Sequence, residues 1–161
     1  MKYDKVLWIG RDNTSLSMMA ESIFVHVYEG RPVYVASRGL VVLMPMPCNP
    51  KVELVLQNHN VRLISTESKP LKEEEITDAS LVLTLLESDK ERLHVRYPYV
   101  KVFTLSEFVG ETIPLRNPYG GTLEDYELCY TEMESMIRKV AAMVAESRKR
   151  EDRLDNMFES I

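Results

Sequence analysis

Between Gly10 and Ser17 the chain places Arg11, Asp12, Asn13, Thr14, Ser15 and Leu16, directly after the apolar run Val6-Leu7-Trp8-Ile9 and ahead of a helical pattern. Three hydroxyls, a guanidinium and a run of backbone amides at a helix start are the materials of an oxyanion site, because unpaired amides and the helix dipole both favour negative charge. Covalent catalysis needs more. Ser15 and Ser17 have no histidine or lysine base beside them in sequence, and an unactivated hydroxyl is a poor nucleophile. Arg11 either turns inward to add charge or faces water, as residues of exposed loops commonly do. A second turn, Asn117-Pro118-Tyr119-Gly120-Gly121, offers an amide side chain that can hydrogen-bond. Cys48 and Cys129 are neither pair-spaced nor accompanied by clustered histidines, so they read as reduced structural thiols. His26, His59 and His94 are scattered through helical segments. Asp12 lacks the acidic neighbours that a receiver-like metal site requires. No metal and no organic cofactor is implied.

Composition narrows the classes further. A chain of 161 residues, 45% hydrophobic and 28% charged, can bury a sizeable core as one domain without disulfide or metal support. A net charge of −5 with no dense Lys/Arg patch before residue 148 argues against nucleic acid as a partner. The longest uncharged stretch, residues 39–50, is too short for a bilayer and is broken by Pro45, Pro47 and Pro50, so no membrane partner is expected. Met1-Lys2-Tyr3-Asp4-Lys5 leads straight into the first apolar run without a leader-like segment, which points to a cytoplasmic location.

These residues need a scaffold, and the chain alternates strand and helix to supply one. Val6–Ile9, Val33–Ala36, Leu81–Leu85 and Val100–Leu105 read as buried strands. Helical spacing follows Ser15 or Ser17, with a stop at Gly30; Pro50 opens a helix that Asn60 caps, and a third helix covers Glu87–Val95. From a Thr122 cap, a long amphipathic helix carries Leu123, Tyr126, Met133, Val140 and Val144 at three- and four-residue steps. Right-handed crossovers then give an α/β fold of three layers, a four-stranded parallel open sheet with helices on both faces. Ligands of such sheets bind beyond the strands' C-terminal ends where the strand order reverses, which selects residues 10–17. Residues 1–146 form the domain. Residues 147–161 form a charged helical tail with Leu154, Met157, Phe158 and Ile161 along one stripe, either a frayed solvated end or a docking helix.

The stretch from Val6 to Glu21 resembles the phosphate loop of the low molecular weight protein tyrosine phosphatases, which place Cys, five residues, Arg and then Ser or Thr at this junction. Ser37-Arg38-Gly39 looks like that family's Ser-x-Gly edge. Asp78-Ala79-Ser80-Leu81-Val82-Leu83-Thr84 is similar to its acidic-Ala-x-strand-Thr stretch. Asn117-Pro118-Tyr119-Gly120-Gly121 resembles its Asp-Pro-Tyr/Phe-Gly-Gly motif. The likeness spans about residues 3 to 144 and implies the same fold.

Carried over residue by residue, the resemblance puts the nucleophilic cysteine on Gly10, the phosphate-clamping arginine on Leu16 and the general-acid aspartate on Asn117. All three functions are then absent. The implied reading is a catalytically inactive homologue that keeps a phosphate-binding loop, Gly10 to Ser17, with Leu16 protruding into it and Leu40, Val41 and Tyr119 as crevice walls. Its expected partner is a phosphate-bearing ligand or phosphoprotein. The rival readings are a weak or altered phosphatase that uses a loop serine, and an assembly protein forming a homo-oligomer through the C-terminal helix.

Overall fold

The computed structural model describes residues 2–159, and their side chains outside 150–155 and 159. Four parallel strands, β1 (Lys5–Gly10), β2 (Tyr34–Gly39), β3 (Ser80–Thr84) and β4 (Val102–Thr104), form one sheet in the order β2-β1-β3-β4. Leu7 sits opposite Ala36 on one side and Val82 on the other, so β1 is flanked by strands and carries an almost unbroken apolar sequence. The chain leaves β1 for β2 at one edge and returns past β1 to β3. The C-terminal end of β1 is therefore the point where the order reverses.

Period-two alternation divides the core in two. Val6, Trp8, Leu81 and Leu83 face a large cluster that includes Ile23, Val55, Tyr126 and Ile137 from α1 (Leu16–Val27), α2 (Pro50–Asn58) and α5 (Leu123–Glu159). Leu7, Ile9 and Val82 face a smaller cluster with Leu93 from α3 (Glu87–Arg96). Helices thus cover both faces, as the strand–helix alternation requires, and α5 packs against α1 and α2. Trp8 is fully buried in the larger cluster.

Three local features depart from the sequence reading. Ser15 occupies the N-cap of α1 without a capping side-chain bond, because the helix start is held by loop contacts instead. The fourth strand is shortened at Thr104, where Thr104 Oγ1 accepts from the Glu107 amide and the Glu107 carboxylate accepts from the Thr104 amide; this reciprocal cap starts the short α4 (Leu105–Phe108). A 3-10 turn at Glu73–Glu75 has no periodic sequence signal. Asn60 lies two residues past α2 with φ of 57°, the left-handed geometry that ends helices. Thr122 caps α5 through its hydroxyl, which accepts from the Asp125 amide at 3.3 Å.

The final helix runs without interruption from Leu123 to Glu159, 37 residues or about 55 Å, so the charged tail continues α5. Arg148 ties it to the body by donating to the Tyr3 carbonyl at 2.9 Å and to Asp4 at 3.1 Å. Met157 and Phe158 are exposed, whereas Leu154 and Ile161 of the expected stripe lie outside the described residues. Among the described residues no helix is long and apolar enough to cross a membrane.

Candidate functional site

The loop after β1 is fixed from outside. Gly10 O accepts from the Leu40 amide at 3.0 Å, Arg11 O from the Val41 amide at 2.7 Å, and Thr14 O from the Asn49 amide at 2.7 Å. In a trans peptide the N–H points opposite to the C=O of the same plane. The amides of Arg11, Asp12 and Ser15 therefore point away from the 40–49 segment, and among the described residues they donate to no protein acceptor. Leu16 and Ser17, in the first turn of α1, contribute two more unpaired amides. Unpaired amides at a helix start carry partial positive charge.

Asn13 holds the loop's shape. Its φ is 59°, a conformation that asparagine tolerates better than most residues, and it is 1% exposed. Its Nδ2 donates to Ser17 Oγ at 2.9 Å, and its Oδ1 accepts from the Lys69 amide at 3.0 Å. Asp12 Oδ1 accepts from Thr14 Oγ1 at 2.9 Å and from the Thr14 amide at 3.3 Å, a local turn that occupies the Thr14 hydroxyl. Gly39 lets the loop come close: a β-carbon there would stand 3.0 Å from the Asp12 carbonyl carbon and 2.5 Å from Val42 Cγ2.

At Gly10 a β-carbon would lie 3.0 Å from Ser17 Oγ. The hydroxyl of Ser17, itself 2% exposed, thus stands where a side chain at position 10 would begin. Ser15 is half-buried and Arg11 is exposed. Two expectations need correcting. Leu16 does not protrude into the loop; it is 9% exposed and belongs to the larger core cluster, because the helix start turns its apolar side chain toward the sheet. Leu40 is not a crevice wall; it is 5% exposed and joins Leu7 and Ile9 in the smaller cluster. Val41 and Tyr119 are exposed.

Asn117 Oδ1 accepts from the Tyr119 amide at 3.1 Å, closing its own turn. The turn borders a groove of about 880 Å³ between residues 111–121 and α5. Asn49 joins the loop to α5: its amide donates to Thr14 O, and its Nδ2 donates to Tyr126 Oη at 3.3 Å. Lys51 Nζ adds a 2.6 Å bond to the Gly121 carbonyl. Sequence reasoning missed Asn49, whose signal was an asparagine immediately before a helix-starting proline.

The edge after β2 is equally anchored. Glu21, 2% exposed, accepts from the Ser37 amide at 3.1 Å and from Ser37 Oγ at 3.0 Å, while Arg38 Nε donates to Glu75 at 2.8 Å. Both thiols are buried, and desolvation, reinforced by Glu53 for Cys48 and Glu132 for Cys129, pushes each up to about 12. At neutral pH only about one in 10⁵ of either is thiolate, too little for a nucleophile or metal ligand. His59 stacks on Tyr130 with ring centres 3.9 Å apart and pairs with Glu127 at 2.6 Å, an interhelical contact away from the loop. Asp89, in the first turn of α3, is 6% exposed, and burial holds its carboxyl above the usual range. Among the described residues no group of three or more acids, histidines or cysteines is placed to hold a metal.

A model of the low molecular weight phosphotyrosine protein phosphatase family matches residues 5–150. A low molecular weight protein-tyrosine-phosphatase, PtpB of Staphylococcus aureus, is 31% identical over 141 residues, covering 87% of this chain and 99% of the relative. A protein-arginine-phosphatase of Bacillus subtilis is 29% identical over 150 residues, covering 89% and 99%. Among solved structures, a Cys-to-Ser mutant of the YwlE arginine phosphatase with a phosphorylated active site serine superposes with a TM-score of 0.80 at 27% identity, covering 90% of this chain and 98% of that one.

Proposed function

The chain belongs to the low molecular weight phosphotyrosine protein phosphatase family, and from that premise we propose that it binds a phosphate-bearing ligand, a phosphoprotein in the first instance, without hydrolysing it. The reading rests on one observation: the loop offers outward-held carbonyls and unpaired amides, but Gly10 brings no nucleophile and the space beside it is taken by a hydroxyl bonded to Asn13. The family mechanism needs a thiolate there, and losing a nucleophile removes about 10⁶-fold where comparable sites were dissected. The arginine position holds Leu16, packed in the core, which forgoes a bidentate clamp of the kind worth roughly 10³- to 10⁵-fold in phosphoryl transfer. Asn117 occupies the acid position and forgoes about 10²- to 10⁴-fold more. These effects act as a unit and do not multiply, yet the first alone suffices. Neither cysteine replaces the missing thiolate, since both are buried and protonated.

Phosphate held by amides alone binds weakly, on the order of millimolar. Contacts beyond the phosphoryl group must then carry the affinity, and Val41 and Tyr119, both exposed, are the side chains this reading assigns to meet an aromatic group. A second reading, a slow phosphatase using Ser17, draws on the Ser17 Oγ position and on the relative whose active site serine is phosphorylated. It lacks a base: among the described residues the only polar side chain bonded to Ser17 is the Asn13 amide, which donates to the hydroxyl and accepts no proton. The two readings separate on p-nitrophenyl phosphate. The binding reading expects no enzyme-dependent product and an unmodified mass after incubation. Turnover lost in Ser17→Ala, together with a phosphoserine at position 17, would replace it with the second.

A further inference from the structure

The groove of about 880 Å³ beside α5 has a buried floor of Leu115, Cys129 and Met136, yet Ile113 and Leu128 on its walls are 78% and 64% exposed. Large apolar side chains gathered at one concavity mark an interaction surface, which singly scattered ones do not. The far end of the same helix presents matching chemistry. α5 continues for eleven residues past Arg148, which ties it to Tyr3 and Asp4, and there it carries Met157 and Phe158, 59% and 70% exposed. Leu128 and Met157 are 29 residues apart on one uninterrupted helix. That is about eight turns and about 44 Å, so the two positions share a face to within about 20°. Between them the same face carries Ser135, Lys139, Ala142 and Glu146, all exposed.

We propose that this face of α5 binds the same face of a second copy in antiparallel alignment, with the end of each α5 seated in the groove of the other. Setting Met157 of one copy beside Leu128 of the other fixes the register. Ala142 then meets Met143 across the two-fold axis, and Lys139 of each copy faces Glu146 of the other, so opposite charges meet twice. A parallel alignment would instead set Lys139 against Lys139 and Glu146 against Glu146, and would leave both grooves without the apolar helix end. Within its own copy Lys139 pairs with Glu111 of the groove lining at 3.2 Å, which holds the ammonium at the groove rim. An isologous contact of this kind closes on itself and stops at a dimer. A stripe about 44 Å long and about 10 Å wide covers roughly 400 Å² of each copy, and the groove walls add to it. The total comes near the ~1,000 Å² at which specific interfaces begin, so the dimer is a weak one that forms at micromolar concentrations or above. No residue of the loop from Gly10 to Ser17 lines this groove, so the dimer and the anion reading stand or fall separately.

Sedimentation velocity of the full chain from about 1 µM to about 1 mM should show a monomer–dimer equilibrium. Lys139→Glu and Glu146→Lys should each weaken it at least tenfold, because like charges then meet twice, and the double variant should restore it. That rescue separates pairing between copies from loss of the Glu111 contact, which the double variant also lacks. Met157→Asp should weaken the dimer as well while leaving the thermal unfolding of the monomer unchanged, since the side chain is exposed. The native thiols are buried, so spin labels can be directed to Lys149→Cys and Glu124→Cys, both exposed positions. The antiparallel register sets the labels of two copies about 20 Å apart along the axis at position 149 and about 55 Å apart at position 124. A chain that stays monomeric throughout the range, a double variant no better than the single ones, or labels as close at position 124 as at 149 would overturn the arrangement.

Discussion

Replacing Asn13 by alanine tests whether the loop is held as described. Three losses are expected. The bond to Ser17 Oγ at 2.9 Å and the bond from the Lys69 amide at 3.0 Å both disappear from a residue that is 1% exposed, at about 1 kcal/mol each. Alanine at a φ of 59° adds a left-handed strain of about 1 kcal/mol. The sum, roughly 3 kcal/mol, corresponds to a fall in Tm of about 6–12 °C for a domain of this size. Asn13→Gly loses the same bonds but not the strain, and should recover about 1 kcal/mol of the loss. Urea unfolding of the three proteins gives the comparison directly. An Asn13→Ala protein within about 0.5 kcal/mol of wild type, or an alanine variant more stable than the glycine variant, would mean that Asn13 does not fix the loop in this conformation.

Other consequences are open to simple measurement. Gly39→Ala should destabilise by about 1–3 kcal/mol in chemical denaturation, because the new methyl must displace Val42 or the loop backbone at Asp12. Cys48 and Cys129, pushed up to about 12, should be unreactive toward a thiol reagent at pH 7.5 in the native protein and should both titrate after unfolding. Glu107 is held below the usual glutamate range, first by its bond from Lys90 and then by the Thr104 amide, so its contribution is present above the unfolded carboxyl's pKa and is lost as pH falls through the lower folded one. Glu107→Gln should accordingly flatten the acid limb of a Tm-against-pH curve; an unchanged slope would count against the pair. Both partners are partly exposed, so the effect should shrink in high salt.

Much of this architecture is legible in the residues themselves. Four apolar runs separated by helical periods define a parallel sheet, and the order reversal at β1 follows from connectivity that places the loop at residues 10–17. Boundaries moved where a side chain intervened: Thr104 and Glu107 close a reciprocal cap and end β4 early, which hydrophobic periodicity does not register. The site was legible as a segment but not as a set of contacts. The aligned position of Leu16 suggests a side chain directed at the ligand, yet burial of an isobutyl group in the core is the stronger preference. Leu40 followed the same rule on the opposite face. Asn49 comes from a distant segment, and only the fold brings it to the loop.

The central claim, that the loop holds an oxyanion it cannot cleave, is tested most directly by one titration of the wild-type protein with phenyl phosphate, following the backbone amides by ¹⁵N NMR and the phosphorus by ³¹P NMR in the same tube. The account requires the amide resonances of Arg11, Asp12 and Ser15 to shift and saturate while the ester remains intact over hours. Inorganic phosphate accumulating in proportion to enzyme, or amide shifts confined to residues outside 10–17, would contradict it.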